Sequence, residues 1–196
     1  MSSCRKKPKK TCSSPTRRLI TLEAMVREFI DTYRHGERDE LAFFKEISQE
    51  KALEFAALAK DSRGNRFSHQ RRLTRESLQQ GKQAIMSMLG AFQKANSFEE
   101  VLQIVRGVTS KVHGLGELYA YDTALRISAK TGHEPKHVYL HAGTRVGAKR
   151  LGIPTNRDYV PMTELPEALL LLKAHEVESF LCLYKNHFGS VVERRA

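Results

Sequence analysis

Two histidines stand four residues apart in the segment HVYLHAGTRVGAKRLG, which runs from His137 to Gly152. On a helix, His137 and His141 would face the same direction, and this geometry lets two imidazoles share a zinc ion. The segment supplies neither further ligands nor the glutamate that gives the metalloprotease motif its base. We therefore expect no bound metal and no other cofactor, and the two histidines remain candidates for an enzyme site.

A second group of chemically active side chains lies in YDTALRIS, just before this segment. Asp122 and Arg126 are four residues apart, so a simple ion pair on one helix face is one interpretation. The other interpretation joins them with Tyr121, His137 and His141 into the site of an enzyme that acts on nucleic acid or nucleotides. No nucleophile–base pair, carboxylate pair or phosphate-binding loop has a diagnostic spacing, so catalysis is the alternative hypothesis.

A glycine turn between two apolar helices precedes these residues, in VLQIVRGVTSKVHGLGELYAYDTALRI. The turn contains Gly114 and Gly116, and small residues at Ala120 and Ala124 allow the helices to cross closely. Backbone N–H groups at the start of the second helix would favour a phosphate oxygen, because the donors and the helix dipole act together. An ordinary turn between two helices is the alternative interpretation.

This arrangement, over residues 97–130, resembles the helix-hairpin-helix, a non-specific DNA-binding element of repair glycosylases, polymerases and ligases. The resemblance implies backbone-directed binding of DNA with low sequence specificity. Glu117 departs from the pattern, since its carboxylate at the helix entrance would repel a phosphate. Leu118 and residues 134–136 stand where glycosylases carry a lysine and an aspartate, so the resemblance implies no catalytic residue, and a glycosylase-like enzyme is only an alternative.

Two basic clusters offer further contacts to phosphate. Arg71 and Arg72 precede a predicted helix, and the segment after His141 carries a second cluster consisting of Arg145, Lys149 and Arg150. Gly143 and Gly147 lie on one helix face and predict the close approach of another helix or of a sugar-phosphate strand. AGTRVGAKRLG also resembles a second hairpin, with its turn at Val146 and Gly147.

The net charge of the 196-residue chain is +11, which favours a polyanionic partner. Seven basic residues and no acid lie in the first 18 residues, which leaves residues 19–196 at +4. We expect residues 1–18 to form a disordered basic tail. Nucleic acid is the expected partner, with DNA favoured over RNA.

Helical spacing of apolar residues recurs from Thr21 onward and predicts a single, compact all-α domain over residues 19–196. Thr21, Ser48 and Thr74 are the expected N-caps, and Ser97 with Glu100 forms a capping box. The other expected elements are one long helix after Thr74, a helix ending at Gly132, and a further helix beginning near Pro135. A short strand at residues 138–140 is the competing prediction for the start of that last helix.

No apolar run is long enough to span a bilayer, and MSSCRKKPKK lacks the apolar centre of a secretion signal. We therefore expect no membrane association and a cytoplasmic location, or a nuclear one in a eukaryotic cell. The leucine-rich segment ALLLLKAHEVESFLCLYKNHF is either core or a partner-binding helix. The second possibility would make the protein an effector or adaptor.

Overall fold

The computed structural model describes residues 21–188, and helices make up most of this range, which confirms the predicted all-α class. The tail predicted for residues 1–18 lies outside the described residues. The α-helices are α1 (Leu22–Thr32), α2 (Arg34–Glu46), α3 (Gln49–Ala57), α4 (Arg75–Met86), α5 (Leu89–Lys94), α6 (Phe98–Thr109), α7 (Glu117–Thr131), α8 (Ala142–Arg150) and α9 (Ala174–Tyr184). Short 3₁₀ turns occupy Ser68–Gln70, Met162–Glu164 and Glu167–Leu171.

The predicted helix starts are confirmed by the hydrogen bonds of their caps. The hydroxyls of Thr21, Ser48 and Thr74 each accept a backbone N–H from the first turn of the following helix. Ser97 caps α6 in the same way, while the carboxylate of Glu100 accepts the N–H of the residue before the cap, at 2.9 Å. α7 ends at a glycine in the left-handed conformation, Gly132, at φ +76°.

The prediction of one long helix after Thr74 is wrong, because the segment forms two helices, α4 and α5. The N–H of Met88 donates to the carbonyl of Ile85, three residues back, at 3.0 Å, so the regular helical bonding pattern stops there. Ile85 and Phe92, on the two sides of the break, are both buried in the same core cluster. Packing against that core outweighs the helical spacing of the segment.

The prediction that a helix begins near Pro135 is also wrong, because the helix of this segment, α8, begins only at Ala142. His137–Tyr139 forms strand β1, which pairs antiparallel with strand β2, Tyr159–Pro161. The competing prediction of a strand is confirmed, one residue earlier than expected. The pairing explains why β1 is a strand, since β2 forms hydrogen bonds with its backbone. Only the tertiary fold brings β2 close to β1.

Helix α8 packs against α9 with its glycine face. A Cβ atom on Gly147 would approach the carbonyl of Leu181 more closely than 3.0 Å, a separation that real Cβ atoms essentially never show. The predicted close approach is therefore confirmed, and the partner is a helix of the same chain. The prediction of a second hairpin is wrong, because α8 continues through Val146 and Gly147 without a turn.

The leucine-rich segment belongs mainly to the core. Apolar residues of α9 and of the turn before it lie in one buried cluster with helix α1, among them Leu169, Val177 and Phe180. Leu170 and Leu171 are exposed. The cluster explains most of the apolar character of this segment, and core is the better of the two interpretations.

Candidate functional site

Helix α7 connects the glycine turn with the polar residues that follow it. The turn lies directly before its first residue, and Tyr121, Asp122 and Arg126 lie on its next two turns. All three side chains are buried, because α7 packs against α2, α3 and α6. Buried polar groups need partners, so the surroundings of α7 show what this helix can do.

Asp122 is the centre of a polar cluster. Its Oδ2 atom lies 2.7 Å from His69 Nε2, accepts a hydrogen bond from Gln70 Nε2 at 2.6 Å, and lies 3.7 Å from Arg126 NH2. The ion pair within α7 that the spacing predicted is therefore present. The two shorter contacts come from the turn at residues 68–70, which the sequence did not connect with Asp122.

Arg126 is held between this cluster and an aromatic ring. Its guanidinium carbon lies 3.8 Å from the centroid of the Phe67 ring. Burial lowers the pKa of Arg126, while the charges of Asp122 and Glu40 act in the opposite direction. Its NH1 atom is buried and has no hydrogen-bond partner among residues 21–188.

A cavity of about 290 Å³ opens beside these groups, between α2, α7, α9 and the 68–70 turn. We call it the polar cavity. Its charged and polar lining residues are Glu37, Glu40, His69, Asp122, Arg126, His175, Glu178 and Ser179. Burial lowers the pKa of His175, so this imidazole is neutral at neutral pH.

Glu37 is the most strongly perturbed carboxyl group of the polar cavity. Burial is the main cause that raises its pKa from 4.5 to about 7. A hydrogen bond from Ser179 acts in the opposite direction, and the charges of Glu178, Glu176 and Asp122 add to the increase. Glu37 therefore exchanges a proton near neutral pH, as a general acid or base must.

The raised pKa of Glu37 predicts that the free energy of unfolding falls as the pH rises from about 5 to about 8. In this window the folded protein binds more protons than the unfolded chain, so its stability decreases with pH. We expect Glu37→Gln to stabilise the protein by about 2 kcal/mol at pH 8 and by little at pH 5. Urea unfolding at both pH values measures this difference, and an equal effect at both would contradict the prediction.

His141 and Glu178 form a buried pair beside the cavity. His141 Nε2 is hydrogen-bonded to Glu178 Oε1, and the hydroxyl of Thr144 donates to the same oxygen at 2.8 Å. Burial acts against protonation of His141, but the hydrogen bond and the charge of Glu178 outweigh it and raise the pKa. Tyr121 lies close by, with its ring centroid 6.0 Å from that of His141.

The structure divides the five residues of the predicted enzyme site. Asp122 and Arg126 line the polar cavity, whereas Tyr121 and His141 line a small separate pocket, and His141 contacts Glu178 of the cavity lining. His137 does not join them: it belongs to strand β1 and stacks on Tyr159, with 4.6 Å between ring centroids. Because His137 lies on a strand, the expectation that it shares a helix face with His141 is wrong.

Sequence reasoning missed the acidic and histidine residues that α2 and α9 contribute to the cavity. Glu37 and Glu40 are three residues apart, as are His175 and Glu178, so each pair occupies one face of its helix. Two polar pairs at helical spacing within amphipathic helices were the available signal. Nothing in the sequence indicated that these two faces meet.

A basic surface lies on the other side of the 68–70 turn. We use this name for Lys60, Arg63, Arg66, Arg71, Arg72 and Arg75. Residues 60–75 contain these six cations and one acid, a net charge of +5, whereas residues 21–188 together carry only +3. A groove of about 310 Å³ is lined by Lys60, Arg66 and Arg75, and none of its described lining residues is acidic.

The basic surface adjoins the glycine turn before α7. The hydroxyl of Ser77, in the first turn of α4, donates to the carbonyl of His113 at 2.8 Å. Gly114 adopts φ +87°, a left-handed conformation that favours glycine, and Gly116 is the N-cap residue of α7, which has no side-chain cap. Gly114 therefore lies against the first turn of α4, which begins at Arg75, while Arg71 and Arg72 precede this helix in the chain; a common phosphate-binding face stays a prediction.

The second predicted basic cluster is used differently. The guanidinium of Arg145 donates to the carbonyls of Leu140, Thr155 and Arg157, at 2.7, 2.5 and 2.9 Å. Arg150 donates to the carbonyl of Lys185. Lys149 is exposed, but these two arginines hold the loops around α8 and have fewer N–H groups left for a phosphate.

No family model, curated protein or solved structure matches this chain. Its function is therefore argued from the basic surface and the polar cavity. Within residues 21–188, no group of three or more His, Cys, Asp or Glu side chains is arranged to hold a metal ion. In the same range no helix has both the length and the apolar character needed to cross a bilayer.

Proposed function

We propose that this protein binds nucleic acid through the sugar-phosphate backbone, using the basic surface together with the glycine turn at residues 113–117. The observation that carries the proposal is the concentration of charge. Residues 60–75 carry +5, while the rest of the described chain carries −2. DNA is favoured over RNA because the turn resembles a DNA-binding element.

Most cations of the basic surface are available to a ligand, since the five arginines are exposed and only Arg66 donates to a carbonyl in the described chain, that of Leu73, at 2.7 Å. None of the six forms an ion pair with another residue in the range 21–188, whereas Lys82, Arg157 and Lys173 each pair with a glutamate. The one acid in the segment, Asp61, accepts the backbone N–H groups of Arg63 and Asn65 at 2.9 and 2.8 Å. Exposed, unpaired arginines are suited to phosphate oxygens, which they contact without reading the base sequence.

The position of the glycine turn adds backbone donors to this surface. The Ser77–His113 hydrogen bond places the turn against the first turn of α4, immediately after Arg75. The start of α7 then presents N–H groups and the positive end of its dipole near Arg75, although the carboxylate of Glu117, the first residue of α7, acts against a phosphate there. A strand of nucleic acid that follows the arginines would therefore reach the turn.

Replacing Arg71 and Arg72 with glutamine should weaken binding and lower its salt dependence. Each lost phosphate contact reduces the slope of log affinity against log salt by about 0.9 for duplex DNA, so we expect a decrease of about 2. Fluorescence anisotropy with labelled single-stranded DNA, duplex DNA and RNA over a range of salt concentrations measures both quantities. A protein beginning at Leu19 should keep most of the slope.

A matched control removes the same charge elsewhere. Arg27 and Lys94 are exposed and lie outside both predicted basic clusters. Changing both to glutamine should leave affinity and slope nearly unchanged. An equal loss in this variant, or loss of all binding with residues 1–18, would contradict the proposal.

A further inference from the structure

The polar cavity has an excess of negative charge. Four carboxylates line it, Glu37, Glu40, Asp122 and Glu178, against one guanidinium, Arg126. His175 is neutral and adds no positive charge. His141 does not line the cavity and contacts it only through Glu178. This lining would repel a phosphate and attract a cation, so it argues against nucleotides as ligands.

Four buried donors or acceptors of the lining have no hydrogen-bond partner among residues 21–188: Glu37 Oε2, Glu40 Oε1, Arg126 NH1 and His175 Nδ1. Arg126 and His175 are only 6% and 5% exposed, yet Arg126 NH1 and His175 Nδ1 make no hydrogen bond within the part of the chain that the structure describes. Buried polar atoms are normally satisfied, and unsatisfied ones around a cavity point to a ligand that supplies their partners. An acceptor oxygen on the ligand would satisfy Arg126 NH1.

We propose that the polar cavity binds a small organic cation that also carries a carboxylate, with the chemistry of a basic amino acid. The cationic group pairs with Glu37, Glu40 and Glu178, and the carboxylate accepts from Arg126 NH1. The proposal concerns a separate site and does not depend on nucleic-acid binding.

The size of the cavity fits this class of ligand. A volume of about 290 Å³ equals roughly ten water molecules at about 30 Å³ each. Ligand pockets begin at about 300 Å³, so the cavity takes a molecule with about a dozen heavy atoms. A basic amino acid has this size, whereas a peptide exceeds it.

The proton on Glu37 makes the affinity depend on pH. The charged and titratable groups around Glu37 are Glu176, Glu178 and His175 from α9, Asp122 and Arg126 from α7, Glu40 from its own helix, and His69. Burial and, to a smaller extent, the neighbouring carboxylates favour protonation of Glu37, and a bound cation acts against it. Affinity should therefore rise from pH 6 to pH 8, by at most about tenfold per unit below pH 7.

Isothermal titration calorimetry of the full chain, with no nucleic acid present, tests the proposal with three probes. L-Arginine should give saturable heat. L-Citrulline keeps the shape but lacks the cationic charge, and agmatine keeps the cation but lacks the carboxylate. Each should bind at least about tenfold more weakly than L-arginine, because a charge-assisted contact is lost. L-Lysine serves as a second basic amino acid.

Variants of the lining residues test whether the heat of L-arginine binding comes from the polar cavity. Glu37→Gln should reduce the affinity for L-arginine about tenfold and remove most of its pH dependence. Glu46→Gln, at an exposed position on the same helix, is the matched control and should change neither. Circular dichroism confirms folding of both variants, and Glu40→Gln provides a second test within the lining.

Three results would overturn the proposal: no saturable heat with either L-arginine or L-lysine, equal binding of L-citrulline, or equal loss in the Glu46 variant. Because the titration contains no nucleic acid, each of these results leaves the proposed nucleic-acid binding unaffected. Failure of the anisotropy experiment would in turn leave the cavity proposal standing.

Discussion

Alanine at Gly147 is expected to destabilise the protein by about 3 kcal/mol, the upper end of what overpacking costs. The added Cβ would meet the carbonyl oxygen, carbonyl carbon and Cα of Leu181. These atoms belong to the backbone of α9, so no side-chain rotation relieves the clash, and α8 must move away from α9. Such a movement would also disturb the buried pair of His141 and Glu178, which joins the two helices.

Urea unfolding monitored by circular dichroism measures this loss. Gly107→Ala is the matched control, since Gly107 lies within α6 and its Cβ would meet no atom within 4 Å. There the change should stabilise the protein by about 0.5 to 1 kcal/mol, because alanine restricts the unfolded chain and favours the helix. A loss below about 1 kcal/mol for Gly147→Ala would contradict the observed packing of α8 on α9.

Removal of the Asp122 carboxylate by Asp122→Ala is expected to cost about 3 kcal/mol. The change leaves His69 and Gln70 without their common acceptor and the buried guanidinium of Arg126 without its closest counter-charge. Loss of one partner of a buried ion pair typically costs about 3 to 5 kcal/mol. The lower value applies here, because Glu40 still faces Arg126 and repulsion on Glu37 is relieved.

Asp158→Ala provides the comparison for a solvent-exposed pair. Asp158 lies 3.5 Å from Arg106, and its side chain is 68% exposed. Exposed pairs contribute at most about 1 kcal/mol, so this variant should unfold almost like the unchanged protein. Equal losses in the two variants would show that Asp122 is not the centre of a buried cluster.

The 68–70 turn connects the two proposed sites. His69 and Gln70 contact Asp122 at the cavity, while Arg71 and Arg72 follow directly on the basic surface. Asp122→Ala should therefore loosen this turn as well as the cavity. For this reason the tests of binding use Arg71, Arg72 and Glu37, whose changes leave the buried cluster intact.

Much of the local structure was predictable from short stretches of sequence. The caps at Thr21, Ser48 and Thr74 and the glycine end of α7 depend on contacts within a few residues, so the sequence pattern is sufficient. The candidate residues Arg71, Arg72, Gly114 and Gly116 were proposed from equally local signals, a charge run and a glycine turn, and their role in binding stays a prediction. Predictions failed where a distant partner decides the structure, as at strand β1 and at the break between α4 and α5.

The sequence by itself determined an all-α chain, its helix caps, the close-packing face of α8 and a basic segment before α4. Only the tertiary structure decided that Arg145 serves its own loops and that His137 stands apart from His141. It also decided that Glu37, Asp122 and Glu178 meet around one cavity. These carboxylates come from three helices far apart in the chain, and their protonation depends on burial and mutual charge. Such properties arise only when the helices pack, because no local pattern encodes which faces will meet.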